Sequence, residues 1–262
     1  MSDRGLLIVN ADDWGGFREG TDAIETCFAI GAISSTTAMV HMADSSRAAE
    51  LARERERPIG LHLNLTQPYD ARAVPGPVRE RQLRLCAHFR PLSRRRWTLS
   101  PDPRTHRLVA DGIRDQLDEF RERYGREPTH VDSHHHVHVC PDVFLSRALA
   151  PGTRVRQALA LAPGTHGRGA KRFLKGFARG AKQRVLARRF LTTERFWCAG
   201  ELSDGDGAVP IAQAAAHAAS HSVEIMVHPS FASDIAVLRS DIWLSALREA
   251  PLGSYAALTR RV

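Results

Sequence analysis

Leu6-Leu7-Ile8-Val9-Asn10-Ala11-Asp12-Asp13 is the first patterned stretch of the chain. An unbroken apolar run, Leu6 to Val9, bounded by polar residues suits a strand buried on both faces, as in parallel sheets flanked by helices. Thr21 to Gly31 then carries apolar residues at 23, 24, 27, 28 and 30 and stops at a glycine, the pattern of a short helix with its C-cap. Ser34 to Val40 reads as a second strand. Arg47 to Arg57 reads as an Ala/Glu/Arg helix ended by Pro58, and Ile59-Gly60-Leu61-His62-Leu63-Asn64-Leu65 as a third strand. Strand, helix, strand, helix, strand with crossovers of helical length is a parallel α/β beginning.

Working outward, residues 67–106 are Pro- and Arg-rich and read as an irregular excursion over the surface. Arg107 to Tyr124 places Val109, Ile113, Leu117, Phe120 and Tyr124 on one helical face and stops at Gly125 and Pro128. Thr129 to Val139 reads as a strand, and 150–200 as a basic, poorly periodic region. An Ala-rich helix follows over Ile211 to Ser220, then a strand over Val223 to Val227 and a last helix from Asp234 to Glu249. No GxGxxG fingerprint and no internal repeat appear. Alternating strands and helices without that fingerprint predict an α/β, barrel-like (β/α) fold, with residues 1–262 as one domain.

Composition narrows the class. With 43% hydrophobic and 25% charged residues, the chain is neither disordered nor fibrous. No stretch of 18 apolar residues is present, and the start lacks the apolar core of a signal peptide. Cys27, Cys86, Cys140 and Cys198 are widely spaced, so reduced thiols and a cytoplasmic location are expected. The formal charge of +8 is concentrated locally. Arg90, Arg94, Arg95 and Arg96 precede Trp97. Arg168 to Arg189 interleaves basic residues with Phe173, Leu174, Phe177, Ala181, Val185 and Leu186 at helical spacing, an amphipathic helix. The plain reading of that segment is a solvated face over an apolar stripe; the sharper one is contact with an anionic membrane or glycan. Base-stacking aromatics and zinc-finger spacing are missing, which argues against nucleic acid.

The polar residues with chemical potential fall where apolar strands finish. Asn10-Ala11-Asp12-Asp13 closes the first strand, His62 lies in the third, Asp132-Ser133-His134-His135-His136-Val137-His138 follows the fourth, and His228 closes Val223–Val227. In a β/α barrel these ends converge on one face. Paired carboxylates at a buried strand end need a compensating cation or a held proton, and on an extended backbone Asp12 and Asp13 point to opposite sides. One can bind a metal while the other accepts a proton. A helix cap alone would not need two carboxylates and Asn10. The histidines at 130, 134, 135, 136 and 138 are too many to be direct ligands, although 130, 134, 136 and 138 would share one face of a strand with Asp132.

These stretches resemble a known family. Leu7-Ile8-Val9-Asn10-Ala11-Asp12-Asp13-Trp14-Gly15, Ile59 to Thr66, Pro128 to His138 and Val227-His228-Pro229 are similar to motifs of the YdjC/ChbG-like carbohydrate deacetylases, with Trp14 where the family usually has Phe. The resemblance covers residues 5–66, 107–145 and 222–262. It implies a seven-stranded barrel-like fold related to the polysaccharide deacetylases and one divalent metal ion, Mg²⁺ or Zn²⁺. It further implies Asp13, His62 and His134 as metal ligands, Asp12 as base and His228 as acid.

The expected activity is removal of acetate from an N-acetylated amino sugar, by a single domain that could also form a homo-oligomer. The competing reading is a non-catalytic metal- or lipid-associated protein of the same fold, using the basic segment 168–189. The adjacent Asp12 and Asp13 speak against it, because a binding module needs no second carboxylate beside the ligand. A phosphoesterase would want an Arg or Gly-rich cradle near the strand ends, and none is evident there.

Overall fold

The computed structural model describes residues 5–90, 102–157, 170–199 and 211–260, with only the backbone described for 170–179. The Arg94–Arg96 cluster and Arg168 lie outside the described residues.

Strand β1 (Leu6–Trp14) is the centre of a parallel sheet. Its order is β4-β3-β2-β1-β6-β5, built from β2 (Ser35–Ala38), β3 (Ile59–Leu63), β4 (Val131–Ser133), β5 (Arg195–Cys198) and β6 (Ser222–Val227). The short β7 (Leu252–Gly253) also pairs with β1. All pairings are parallel, as the helical crossovers require. Beyond the two edge strands, single bridges run from Val131 to Val155 and from Arg154 to Leu191. The segment at 153–156 therefore stands next to the β4 edge and curls the sheet toward a barrel.

Helices α1 (Arg18–Ala29), α2 (Ser45–Glu54), α3 (Gly76–Phe89), α4 (His106–Tyr124), α5 (Pro141–Phe144), α6 (Ala170–Arg189), α7 (Ile211–Ala218), α8 (Ala232–Leu238) and α9 (Asp241–Glu249) complete the layers. The alternation along β1 assigns the two faces of the sheet. Leu7, Val9 and Ala11 join the main core together with Ile24, Cys27, Ala48, Ile113 and Phe120 from the helices. Ile8, on the other face, packs with Tyr255 and Leu258. Asn10 and Asp12 continue the Ile8 side, so the inner face turns from apolar to polar toward the strands' C-terminal ends.

Three expectations need correction. The excursion over 67–106 contains helix α3, whose Leu85 and Phe89 are buried; its weak periodicity and high Arg content hide it. The strand expected over Thr129–Val139 stops at Ser133 and gives way to a 3₁₀ stretch, His134–Val139, because His135 and His136 take left-handed backbone conformations (φ 57° and 55°). The last helix is two helices: the Ser240 hydroxyl accepts from the Trp243 N–H and starts α9 afresh.

Candidate active site and metal centre

The strand ends bring Asp12, Asp13, His62, His134 and His228 together. β1 does not stay extended through its two aspartates. The register slips between Ala11 and Trp14, and Asp13 has φ 71°, a left-handed conformation that aspartate tolerates better than most residues. Asp12 and Asp13 do part company as expected, but through this bulge and not through simple strand alternation. Asp12 points inward and is buried, whereas Asp13 is only partly covered.

Around Asp13 the geometry is that of a donor set. Its Oδ1 lies 3.3 Å from His62 Nε2 and 3.2 Å from His134 Nδ1. Donors held about 2.0–2.2 Å from one ion stand roughly 3.0–3.6 Å apart, so these spacings fit a shared cation. On the far side of the His62 ring, Nδ1 is 2.7 Å from Asp132 Oδ1. A carboxylate there takes the Nδ1–H and leaves the Nε2 lone pair aimed at Asp13. A lone pair facing a carboxylate is repulsive unless a proton or a metal ion lies between them. Burial opposes charge on His62, yet Asp132, Asp12 and Asp13 outweigh it and push the imidazole well above its usual pKa. Burial likewise raises Asp13, but hydrogen bonding to His134 and His62 holds it well below the usual carboxylate range.

Asp12 belongs to a different arrangement, centred on Arg156. The guanidinium is fully buried. Its Nη1 donates to Asp12 Oδ2 (2.7 Å) and its Nη2 to Asp12 Oδ1 (2.6 Å), a bidentate fork. Nη2 also lies 2.7 Å from Asp132 Oδ2, and Nε donates to Glu224 Oε1 at 2.8 Å. The Tyr255 hydroxyl donates to the other Glu224 oxygen. Asn10 Nδ2 donates to Asp12 Oδ1 (2.9 Å) and to Thr37 Oγ1 (3.1 Å), and Thr37 in turn donates to Asp132. Burial raises the Asp12 carboxyl, but Arg156, with help from His62 and His228, holds it well below the ordinary value. Oδ2 faces two rings, with His228 Nε2 at 3.9 Å and His62 Nδ1 at 4.0 Å. The His228 backbone N–H donates to Asp234 Oδ2 at 2.7 Å, which ties the β6 end to the first turn of α8.

The other clustered histidines have separate surroundings. His130 stacks on Tyr255 (centroids 3.8 Å apart, planes 10° apart), with its ring where a side chain on Gly60 would collide. Burial and then Arg156 push its pKa well below the usual value. His138 pairs with Ser133 Oγ (2.8 Å), and burial brings it down to about 3. His135 is exposed, with Nδ1 3.0 Å from Thr66 Oγ1, and His136 meets Phe196 edge-on. Of the five, His134 is the one that reaches Asp13 and His62.

Sequence reasoning missed Arg156 and Glu224. Arg156 is one of 37 basic residues, and nothing in its own neighbourhood marks it as buried. Glu224 did carry a signal: an acid inside the apolar strand Ser222–Val227 must find a buried cation. The arginine absent from the phosphoesterase argument does stand beneath the strand ends, but it is buried and four of its five N–H groups face Asp12, Asp132 and Glu224.

A family model described as YdjC-like protein matches residues 6–256. A chitooligosaccharide deacetylase of Salmonella heidelberg (strain SL476) is 31% identical over 246 residues, covering 88% of this chain and 83% of the relative. Another of that name, from Citrobacter koseri, is 37% identical over 140 residues, 53% of this chain and 52% of the relative. A solved structure from Enterococcus faecalis V583, of a protein named for cellobiose-phosphate cleavage, superposes with a TM-score of 0.67 over 98% of this chain and 100% of that one. At 20% identity it speaks for the fold alone.

Proposed function

The chain belongs to the YdjC-like family, and on that premise we propose that it is a metal-dependent carbohydrate N-deacetylase, a hydrolase that removes acetate from an N-acetylated amino sugar. The observation that carries the reading is the convergence of Asp13 Oδ1 on His62 Nε2 and His134 Nδ1, with the Asp12 carboxylate next to it in the chain and 3.9 Å from His228. Similarity to chitooligosaccharide deacetylases supplies the substrate class.

Asp13, His62 and His134 would hold one divalent ion. Two imidazoles and a carboxylate suit Zn²⁺ by ligand softness, and a water-rich octahedral site would suit Mg²⁺. Such an ion, when bound, polarises an amide carbonyl and makes water a better nucleophile. Asp132 keeps His62 in the tautomer that presents Nε2. Asp12 takes the proton of the attacking water at Oδ2. Arg156 keeps that carboxylate ionised at neutral pH and also makes it a weak base, so the proton is held briefly and passes toward His228. From Nε2, His228 protonates the departing amine, without which the C–N bond does not break. Arg156 is fully buried and four of its five N–H groups face carboxylates, so it offers no open cradle for a phosphoryl group, which speaks against the phosphoesterase reading. No helix among the described residues is long and apolar enough to cross a membrane.

The test is acetate release from a panel of N-acetylated glycans, chitooligosaccharides first, by protein stripped of metal and reloaded with single ions. Activity that returns with one or two divalent ions is the expected result. A folded, metal-loaded protein that releases no acetate from any member of the panel would overturn the reading.

A further inference from the structure

Immediately after the β6 end, the sequence His228-Pro229-Ser230-Phe231 turns into α8 and leaves the Phe231 ring 57% exposed. The turn is tightly tied. The Phe231 N–H donates to the His228 carbonyl at 2.9 Å, and its own carbonyl accepts from the Ile235 N–H at 3.0 Å. With His228 N–H held by Asp234, both ends of the turn are fixed. The two rings sit 5.2 Å apart at 35°, so the phenyl is an apolar surface held beside the imidazole. Other exposed apolar side chains lie elsewhere: Ile242, 74% exposed, is on α9 and Leu83 on α3. After β1, the strand next to β6, Phe17 at the start of α1 is also exposed, its ring lying against Gly20 where any side chain would meet it.

A single exposed phenylalanine needs no explanation by itself. The position of this one does. If His228 protonates the leaving nitrogen, the pyranose bonded to that nitrogen stands within one ring's breadth of Nε2. A pyranose carries its hydroxyls around its rim and presents C–H groups on its faces. The π face of an aromatic ring is the matching surface, apolar and electron-rich toward C–H. We propose that Phe231 is a substrate-binding platform that stacks on the sugar ring bearing the acetamide and sets affinity for that ring. The inference rests on the deacetylase reading and adds to it a specificity residue.

Replacing Phe231 by Ala should raise KM for an N-acetylated chitooligosaccharide by about tenfold, the loss of one stacked face, with kcat within about twofold. Metal content and thermal midpoint should stay at the parent's values. Phe231→Trp and Phe231→Tyr should restore KM, and Ile242→Ala, an equally drastic loss of exposed apolar surface, should leave both constants unchanged. An unchanged KM in Phe231→Ala, or a fall in kcat at constant KM, would overturn the proposal; the latter would mean that the ring merely braces His228. If the parent protein itself releases no acetate, the deacetylase reading fails and takes this one with it. If the parent is active and Phe231→Ala matches it, only the platform fails.

Discussion

Asp12 and Asp13 are adjacent in the chain and stand in two regions that solve the same electrostatic problem differently. Around Asp12, three carboxylates converge on one guanidinium that turns four of its five N–H groups to them, in a fully buried hub whose Glu224 also accepts from Tyr255. Around Asp13, two imidazole nitrogens and a carboxylate oxygen face one another, and among the described residues neither a lysine nor an arginine belongs to the group. His62 presents Nε2 and His134 presents Nδ1 to the Asp13 carboxylate. The hub supplies its own positive charge. The donor set leaves that charge to a proton or an ion from outside. A one-residue bulge at Asp13 separates the two, so the local backbone decides which carboxylate is available to a metal.

The largest effect should come from removing a donor. Asp13→Ala, His62→Ala and His134→Ala should each strip the purified protein of its metal and abolish turnover, since an open three-ligand site has no spare ligand. Metal content by mass spectrometry reads this directly, and full occupancy in any of the three would remove that residue from the set. Asp12→Asn should instead keep the ion and lose about 10²–10⁴ in rate, the usual worth of a general base. It should also lower the thermal midpoint, because an amide NH₂ would face the Arg156 guanidinium. An Asp12→Asn protein as active as its parent would mean that the hub has no part in the chemistry.

Next in size is the hub itself. Arg156→Met leaves Asp12, Asp132 and Glu224 buried without their cation, a change that costs about 3–5 kcal/mol when one partner of a buried pair is removed. Urea unfolding would measure it. Arg156→Lys keeps the charge but not the fork, so it should recover part of the stability while turnover stays depressed. If Arg156→Met unfolds at the parent's urea concentration, the three carboxylates must already carry protons and the hub is not an ionic one.

The two regions were also unequally legible. The donor set was readable because its members sit in short, unusual strings, Asp12-Asp13 after an apolar strand and a run of histidines after another. Topology then did the rest, since parallel strands deliver their C-terminal ends to one face. The curled parallel sheet followed from apolar runs alternating with helical periods. The hub was not readable in the same way. Arg156 lies on a segment bridged to the β4 edge at Val131, in a region without clear periodicity, and its burial is a tertiary fact. Left-handed residues at His135 and His136 cannot be foreseen from β-like alternation, so the fourth strand was expected too long and several histidines were placed on one face. Helix α3 was hidden because its exposed face is rich in arginine and its apolar face is narrow.

The smallest effect is the one that tests how the hub balances its charge. Three carboxylates exceed one guanidinium, and burial, opposed by Arg156 and Tyr255 and reinforced by Asp132 and Asp12, pushes Glu224 up to about 7 from an ordinary 4.5. A carboxyl whose folded pKa is raised binds its proton more readily in the folded state. Between about 4.5 and 7 the folded protein therefore holds more proton than the unfolded chain, and this contribution to stability falls as pH rises through that window. Glutamine mimics the protonated acid and does not titrate. The stability of the parent minus that of Glu224→Gln should thus decline from pH 5 to pH 8, by up to roughly 3 kcal/mol, while shifts at Asp12, Asp13 and His62 largely cancel in the subtraction. Urea midpoints of the two proteins across that range would show it. A difference that stays flat would mean that Glu224 is ionised throughout, and that the hub draws on a cation beyond its own arginine, as proposed for the donor set.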